Sequence, residues 1–488
     1  MTTEDRGYAD VVVVGGGSCG SVLAARLSED PSCSVVLLEV GPGYRSAAEI
    51  PTALLDACAL PVGPRSPWID GYRAELTPDT AVDVARGRVL GGSGAVNGAY
   101  FVRARPGDFD SWPASWSFDD VLPYFRALEN DLDFGGDAHG SAGPMPVSRV
   151  AASVRSPITD TFFGAALAAG YRFDADKNDP FSTGGVGPVP RNVLGARRVN
   201  AASAYLLPAM TRANLTVHDR TTVLGVTFGG ARASGVTVER GGVVSHLRAD
   251  RIVLCAGSVR TPQLLMLSGI GPADPLTELG VPVVMDHPRV GRGFTDHPEL
   301  LVPWQLSNIG RRSSPLEAVL HVDDLEIRPY SASFDSFIAG IPAGRPMIGI
   351  GLMRPESRGD ITLVSRDPAD APRVRHRYLA SPADRRAMSD GHALVLDLIG
   401  RAGTAQEPAA PGRVGDGQAL LGTSLHLSGS CAMGDGDSVV DEFCRVRGIE
   451  GLFVVDTSAF PVVPSRGPHA TAIMFAERAS DLLRGRVA

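Results

Sequence analysis

Residues 424–434 read SLHLSGSCAMG and place one histidine, His426, among small residues that build no apolar helix face. An imidazole titrates near pH ~6.5, which suits it to accept a proton at neutral pH. Alone, such a histidine is more often structural than catalytic, so the rest of the chain has to decide. Residues 15–20 read GGGSCG, with Gly15, Gly17 and Gly20 in the GxGxxG register. The first glycine permits a tight turn, the second lets backbone N–H groups approach a pyrophosphate, and the third lets helix and strand pack closely. Glu39 lies near the end of the next apolar run, SVVLLEVG. There it would accept hydrogen bonds from both adenosine-ribose hydroxyls and repel a 2′-phosphate, which points to NAD or FAD and away from NADP. Residues 87–112, GRVLGGSGAVNGAYFVRARPGDFDSW, crowd small residues that let backbone lie against a flat ligand.

These groups need a scaffold. DVVVV at 10–14 predicts a buried parallel strand, and SVLAARLSED at 21–30 has helical apolar spacing. With the run at 34–41 they form a βαβ unit whose glycine loop meets a helix N-terminus, an attractive end for phosphate. LTVHD, TVLGVTF, ASGVTVE and RIVLCAG, within 215–254, predict an antiparallel meander returning to the same sheet. GLFVVDTSAF at 451–460 predicts one more strand, and GSVRTPQLLMLSGIG at 257–271 a small-residue turn entering an apolar helix. A nucleotide domain assembled from separated segments implies a second domain inserted between them. Residues 402–418, AGTAQEPAAPGRVGDGQ, read as a Pro/Gly-rich loop.

Composition narrows the function classes. The 488 residues, 44% hydrophobic and 20% charged, suit a globular protein of two or three domains. A net charge of −8, with Lys177 the one lysine and no long basic run, argues against a nucleic-acid partner. Cys19, Cys33, Cys58, Cys255, Cys431 and Cys444 form no CxxC pair, which reads as reduced thiols in the cytoplasm and no metal site. The polar N-terminus MTTEDRGYAD carries no secretory signal. No apolar run approaches the ~18 residues of a membrane span, which leaves peripheral contact with the inner membrane face open.

The stretches at 87–112 and 257–271 resemble the paired signatures of the glucose–methanol–choline (GMC) flavoprotein oxidoreductases. LPYFRALE at 122–129, VGRGFTDHP at 290–298, RPESRGDITLVSRDPADAP at 354–372 and RVRGIEGLFVVDTSAFP at 445–461 resemble further family landmarks in the right order. The resemblance covers nearly the whole chain. It implies an α/β fold: a Rossmann-like FAD domain split over residues 1–150, 201–294 and 426–488, and a substrate domain with an antiparallel sheet over 151–200 and 295–425.

The resemblance also assigns residues. Gly15, Gly17, Gly20 and Glu39 match the FAD pyrophosphate loop and ribose ligand, and Val223 the residue whose backbone meets the adenine. Gly92 and Asn97 fall where the family loop lies along the isoalloxazine ring, and Asp456 in the C-terminal flavin-contacting turn. Val96 stands where some members carry a histidine bonded to FAD, so non-covalent FAD is expected. His426, five residues before Cys431, matches the family's catalytic base. In PSRGPHATAIMFAERASD, an ungapped count puts Gly467 at the second catalytic position and His469 where a flavin-contacting asparagine is usual. His469 is expected at the site, either shifted over the flavin or as a hydrogen-bond donor to it. His297, in TDHP, is expected to position loops near the flavin.

The spans from DHP to RPESRG and from YLASPADRR to His426 look shorter than is usual in the family, which suggests an open flavin face for a bulky donor. The SRGPHATAI ending resembles the mycofactocin-associated subgroup, implying mycofactocinol as donor and a respiratory carrier as acceptor. Direct oxidation of small or medium alcohols is the alternative. A hydroxynitrile-lyase-like protein with structural FAD, and a non-enzymatic FAD-binding partner protein, are the readings from other classes.

Overall fold

The computed structural model describes residues 7–306, 313–403 and 419–486; most of the Pro/Gly-rich stretch at 402–418 lies outside them. Strand β1 (Tyr8–Val14), helix α1 (Ser18–Leu27) and strand β2 (Val35–Leu38) form the opening βαβ unit. The two strands are parallel, with Val11–Val14 opposite Val35–Leu38. Both are buried on two sides, as their unbroken β-branched and leucine runs require.

The same sheet takes in β3 (Leu215–His218), β4 (Thr222–Gly229), β5 (Arg232–Arg240) and β6 (Val243–Leu254). Its order is β3-β2-β1-β6-β5-β4, and β7 (Leu452–Val454) pairs with β6 as the seventh strand. LTVHD departs from the predicted meander: β3 runs parallel to β2 at the far edge, and only β4, β5 and β6 form antiparallel pairs. The antiparallel part can join the parallel part because β6 is twelve residues long. Its first half pairs with β5, and its second half lies between β1 and β7.

A second sheet has six antiparallel strands in the order 420–423, 298–303, 346–352, 325–333, 318–322 and 185–188. Leu300, Val302, Ile327, Ile348 and Ile350 face one side and pack with helices Pro157–Ala168 and Pro382–Arg401. By strand alternation, Glu299, Glu326, Arg328 and Tyr330 face the other side. Strands 359–362 and 373–375 join neither sheet. They pair with 292–294 and with the hairpin 69–87 in a separate five-stranded sheet.

Two helices complete the frame around the site. Helix α2 (Gly257–Leu267) follows β6, and helix α3 (His469–Leu483) lies beside α1. Arg26 clamps Glu477 with two bonds of 2.8 and 2.9 Å, and the Cys19 thiol donates to the Ala472 carbonyl. These contacts pair early residues with early and late with late, so α1 and α3 run the same way and start at one level. Among the described residues, no helix is long and apolar enough to cross a membrane.

Candidate active site

The glycine loop delivers a bare helix end. Gly15 holds φ +104°, and a Cβ at Gly20 would lie 1.9 Å from the Gly15 carbonyl oxygen. Neither position admits a side chain without moving backbone. Helix α1 starts after Gly17 with no side-chain cap and no acidic residue in its first turn, so its leading N–H groups and positive dipole end suit an anion. Glu39, buried just beyond β2, accepts from Gly41 N–H at 2.7 Å and from Gly16 N–H at 2.8 Å. Burial pushes its carboxyl up to about 7, against those two amides. Each oxygen keeps a lone pair for a hydroxyl donor. Val223 is half-buried on β4, beside the bulge at Gly225.

Gly92 opens a short 3₁₀ turn, Gly92–Ala95, whose carbonyl at Ala95 is held by the fully buried Arg198 at 3.0 Å. Arg198 carries no signal in the sequence beyond its charge. Past this turn, Asn97 reaches the first residue of α3: its amide donates to His469 Nδ1 at 2.9 Å. An imidazole that accepts at Nδ1 carries its proton at Nε2 when neutral. Burial, reinforced by the Arg198 charge, lowers His469 to about 4, so neutral it is. Its Nε2 is buried with no partner.

That nitrogen looks at Gly94. A Cβ on Gly94 would come within 2.8 Å of Ser18 Oγ and 3.0 Å of His469 Nε2. The starts of α1 and α3 therefore flank a strip that only glycine can line, with an unanswered N–H donor pointing at it. A flat, oxygen-rich ring system fits this donor and this strip, and the FAD assignment agrees with the residues present.

His426 stands apart from His469. Its Nδ1 lies 2.9 Å from Nδ1 of His297, with the rings edge-to-face. Asp296 Oδ1 receives the backbone N–H of both histidines, at 2.8 and 2.7 Å, and so locks the pair. Burial, then the neighbouring His297, holds His426 well below the ordinary histidine value; burial lowers His297 to about 4. Both are neutral at pH 7. TDHP thus supplies a direct partner of His426, a closer role than the loop positioning expected of His297.

The two possibilities for His469 separate in space. Gly467, not His469, faces His426: a Cβ there would lie 3.5 Å from His426 Cε1 and 3.0 Å from Tyr100 Cδ1. Tyr100 occupies the room that a larger residue would need, and its hydroxyl donates to Glu326 at 2.6 Å. His469 is turned to Asn97 and Gly94, which disfavours a shift over to the second catalytic position. Asp456 spends its carboxylate on α2 and its own turn, accepting from Gly257 N–H, Thr261 Oγ1 and Ser458 N–H.

One wall escaped the sequence analysis. Arg328 pairs with Glu299 at 2.8 Å and donates to Ser424 at 2.7 Å, two residues before His426. Glu326 accepts from Tyr100 and bonds His321 at 2.9 Å. The signal was present as the alternation in LEIRPYSAS, where Glu, Arg and Tyr interleave with Leu and Ile on a fully buried strand.

Comparison with known proteins places this geometry. The GMC oxidoreductase pattern matches residues 9–299 and 355–476. The chain is 50% identical to a GMC-type oxidoreductase in the thcA 5′ region of Rhodococcus erythropolis, covering 99% of this chain and 100% of that protein. It is 34% identical to the oxygen-dependent choline dehydrogenase of Chromohalobacter salexigens, over 98% of this chain and 95% of that one. Among solved structures, pyridoxine 4-oxidase from Mesorbium loti superposes with a TM-score of 0.87 at 30% identity, covering 98% of this chain and 100% of that one. The chain belongs to the GMC oxidoreductase family and is an FAD-dependent oxidoreductase acting on CH–OH groups.

Proposed function

We propose that His426 is the general base of this oxidation, working in a proton-sharing pair with His297. The observation that carries the proposal is the Nδ1–Nδ1 contact of 2.9 Å. Two neutral imidazoles joined this way share one hydrogen. When His426 donates it to His297, His426 Nε2 keeps a free lone pair and takes the donor's hydroxyl proton. The imidazolium so formed stays bonded to His297 through Nδ1.

Bound FAD supplies the hydride acceptor, its flavin N5. The chain holds the cofactor in this reading through the N-terminus of α1 at the pyrophosphate, Glu39 at the ribose and the Val223 backbone at the adenine. Gly92, Gly94 and Asn97 line the ring, and His469 donates from Nε2 to its polar edge. Val96, buried and without a nucleophile, supports non-covalent binding. Segments 1–150, 201–294 and 426–488 serve the cofactor in this division, with 151–200 and 295–425 serving the donor.

For the donor, we favour a bulky alcohol, mycofactocinol by the SRGPHATAI ending, with electrons passed to a respiratory acceptor in the cytoplasm or at the inner membrane face. Internal gaps support a trimmed pocket: the alignment with the choline dehydrogenase spans 535 positions against 488 residues here. Two relatives, named for choline and pyridoxine oxidation, support alcohol donors generally. Anaerobic absorbance of the FAD-loaded protein tests the reading, with an alcohol panel and then reduced mycofactocin. Flavin bleaching by mycofactocinol and not by the neutral simple alcohols is expected. Bleaching by simple alcohols makes this a direct alcohol dehydrogenase, and substrate turnover with an unchanged flavin spectrum makes it a lyase.

A further inference from the structure

Arg466 precedes Gly467, the residue that faces His426. It is 6% exposed, and its Nη1 donates to the adjacent Ser465 carbonyl at 2.5 Å. Among the described residues no carboxylate lies within ion-pair distance of it. Its neighbours are better served: Arg354 meets Asp108 at 3.2 Å and Lys177 meets Asp174 at 2.8 Å.

The nearby acids are all engaged. Asp108 accepts from Arg354 at one oxygen and from Ser465 and the Arg105 backbone at the other. Asp174 holds Lys177 and Ser182, and Glu326 holds Tyr100 and His321. Arg105 is similarly short of a counterion, donating from Nη2 to the Ser182 carbonyl. The two guanidiniums are close enough that, after burial, the Arg466 charge is the main influence lowering Arg105.

A buried guanidinium stays charged, and leaving it unpaired is costly. Arginine also matches a carboxylate through two parallel N–H donors. We propose that Arg466, seconded by Arg105, is an anion subsite of the donor pocket, so that the alcohol oxidised at His426 also bears a carboxylate. The inference rests on His426 facing the donor and deepens the direct-alcohol reading, in which the donor is a hydroxy acid.

The test uses FAD-loaded protein and matched pairs: ω-hydroxy acids of increasing length against their neutral amides, with anaerobic flavin reduction as the readout. At one chain length the acid should be preferred tenfold or more. Arg466→Gln should bring that ratio near one, and Arg466→Lys should restore part of it. Equal reduction of acid and amide at every length, or a ratio unchanged in Arg466→Gln, overturns the proposal. If that variant fails to fold, Arg105→Gln must lower the ratio instead, and an unchanged ratio there overturns the proposal as well.

A second readout separates the two claims. Acetate, propanoate and butanoate, which cannot be oxidised here, are titrated against the flavin spectrum. Arg466-dependent carboxylate binding without reduction by any alcohol keeps the subsite and sinks the alcohol reading. No binding sinks the subsite.

Discussion

Around His139, three carboxylates and two guanidiniums close a buried cluster, whereas the nearest side-chain partner of His426 is another imidazole. His139 lies between Glu129 at 3.1 Å, Asp131 at 3.4 Å and Asp176 at 2.8 Å, while Arg103 pairs with Glu129 and Arg149 with Asp131 and Asp176. The carboxylates outweigh burial and raise His139 to about 11. With that proton the cluster has three cations and three anions, so it needs no metal ion to balance it. Among the described residues no carboxylate meets the His426 ring, burial prevails, and the base form persists. The same side chain is held as a cation in one place and as a neutral imidazole in the other. Burial alone does not decide which: three carboxylates around His139 outweigh it, whereas the single carboxylate that bonds His321 does not.

The largest expected effect falls on chemistry. His426→Ala should cut flavin reduction by the donor by about 10²–10⁴-fold while the FAD spectrum stays native. Stopped-flow reduction measures this, and a loss below tenfold would remove His426 from the role of base.

His139→Ala should act on stability alone. Removing one partner of a buried ionic cluster costs about 3–5 kcal/mol, visible as a lower denaturation midpoint with flavin reduction retained in the folded fraction. The sign of its pH dependence follows from a raised pKa. The contribution of His139 is complete below its unfolded value of ~6.5 and fades as pH rises to about 11. The midpoint gap between wild type and variant should therefore narrow with alkali, and a gap that widens would contradict the cluster's charge state.

His297 sharpens the contrast. His297→Leu leaves His426 Nδ1 unanswered and should slow reduction roughly tenfold, a loss of one charge-assisted hydrogen bond. His297→Asn, which can accept through Oδ1, should recover much of it. Equal rates in the two variants would reduce His297 to packing. Smallest is Glu39→Gln, which should weaken FAD by about tenfold, or ~1.4 kcal/mol, in a fluorescence titration. In wild type the ionised carboxylate favours ribose hydroxyl donors, so FAD affinity should fall as pH drops through about 7.

Much of this was legible where local spacing does the work. The GxGxxG turn, the apolar runs of β1 and β2 and the acid after β2 each follow from nearby residues. The helix after the loop starts at Ser18, earlier than apolar spacing predicted, because a helix start is fixed by freed N–H groups and not by an apolar face. LTVHD read as part of a meander because composition does not say which edge of a sheet a strand joins. His469 and Gly467 are two residues apart in the chain, yet they face different partners, and no count along a sequence reveals which way a loop turns. The wall of Glu299, Glu326 and Arg328 was hidden because charged residues read as solvent-facing until a second domain covers them.

Tyr100 standing against Gly467 has a consequence for how this pocket can change over time. A histidine or asparagine introduced at 467 alone would strike the tyrosine ring, and trimming Tyr100 alone would open a void and strip Glu326 of a donor. Each single step is a loss, and only the paired exchange restores a filled site, so the two positions should be strongly non-additive. The arrangement of glycine against tyrosine is therefore held by a barrier between sequences. A lineage in this state would keep its glycine even under selection for a second catalytic side chain.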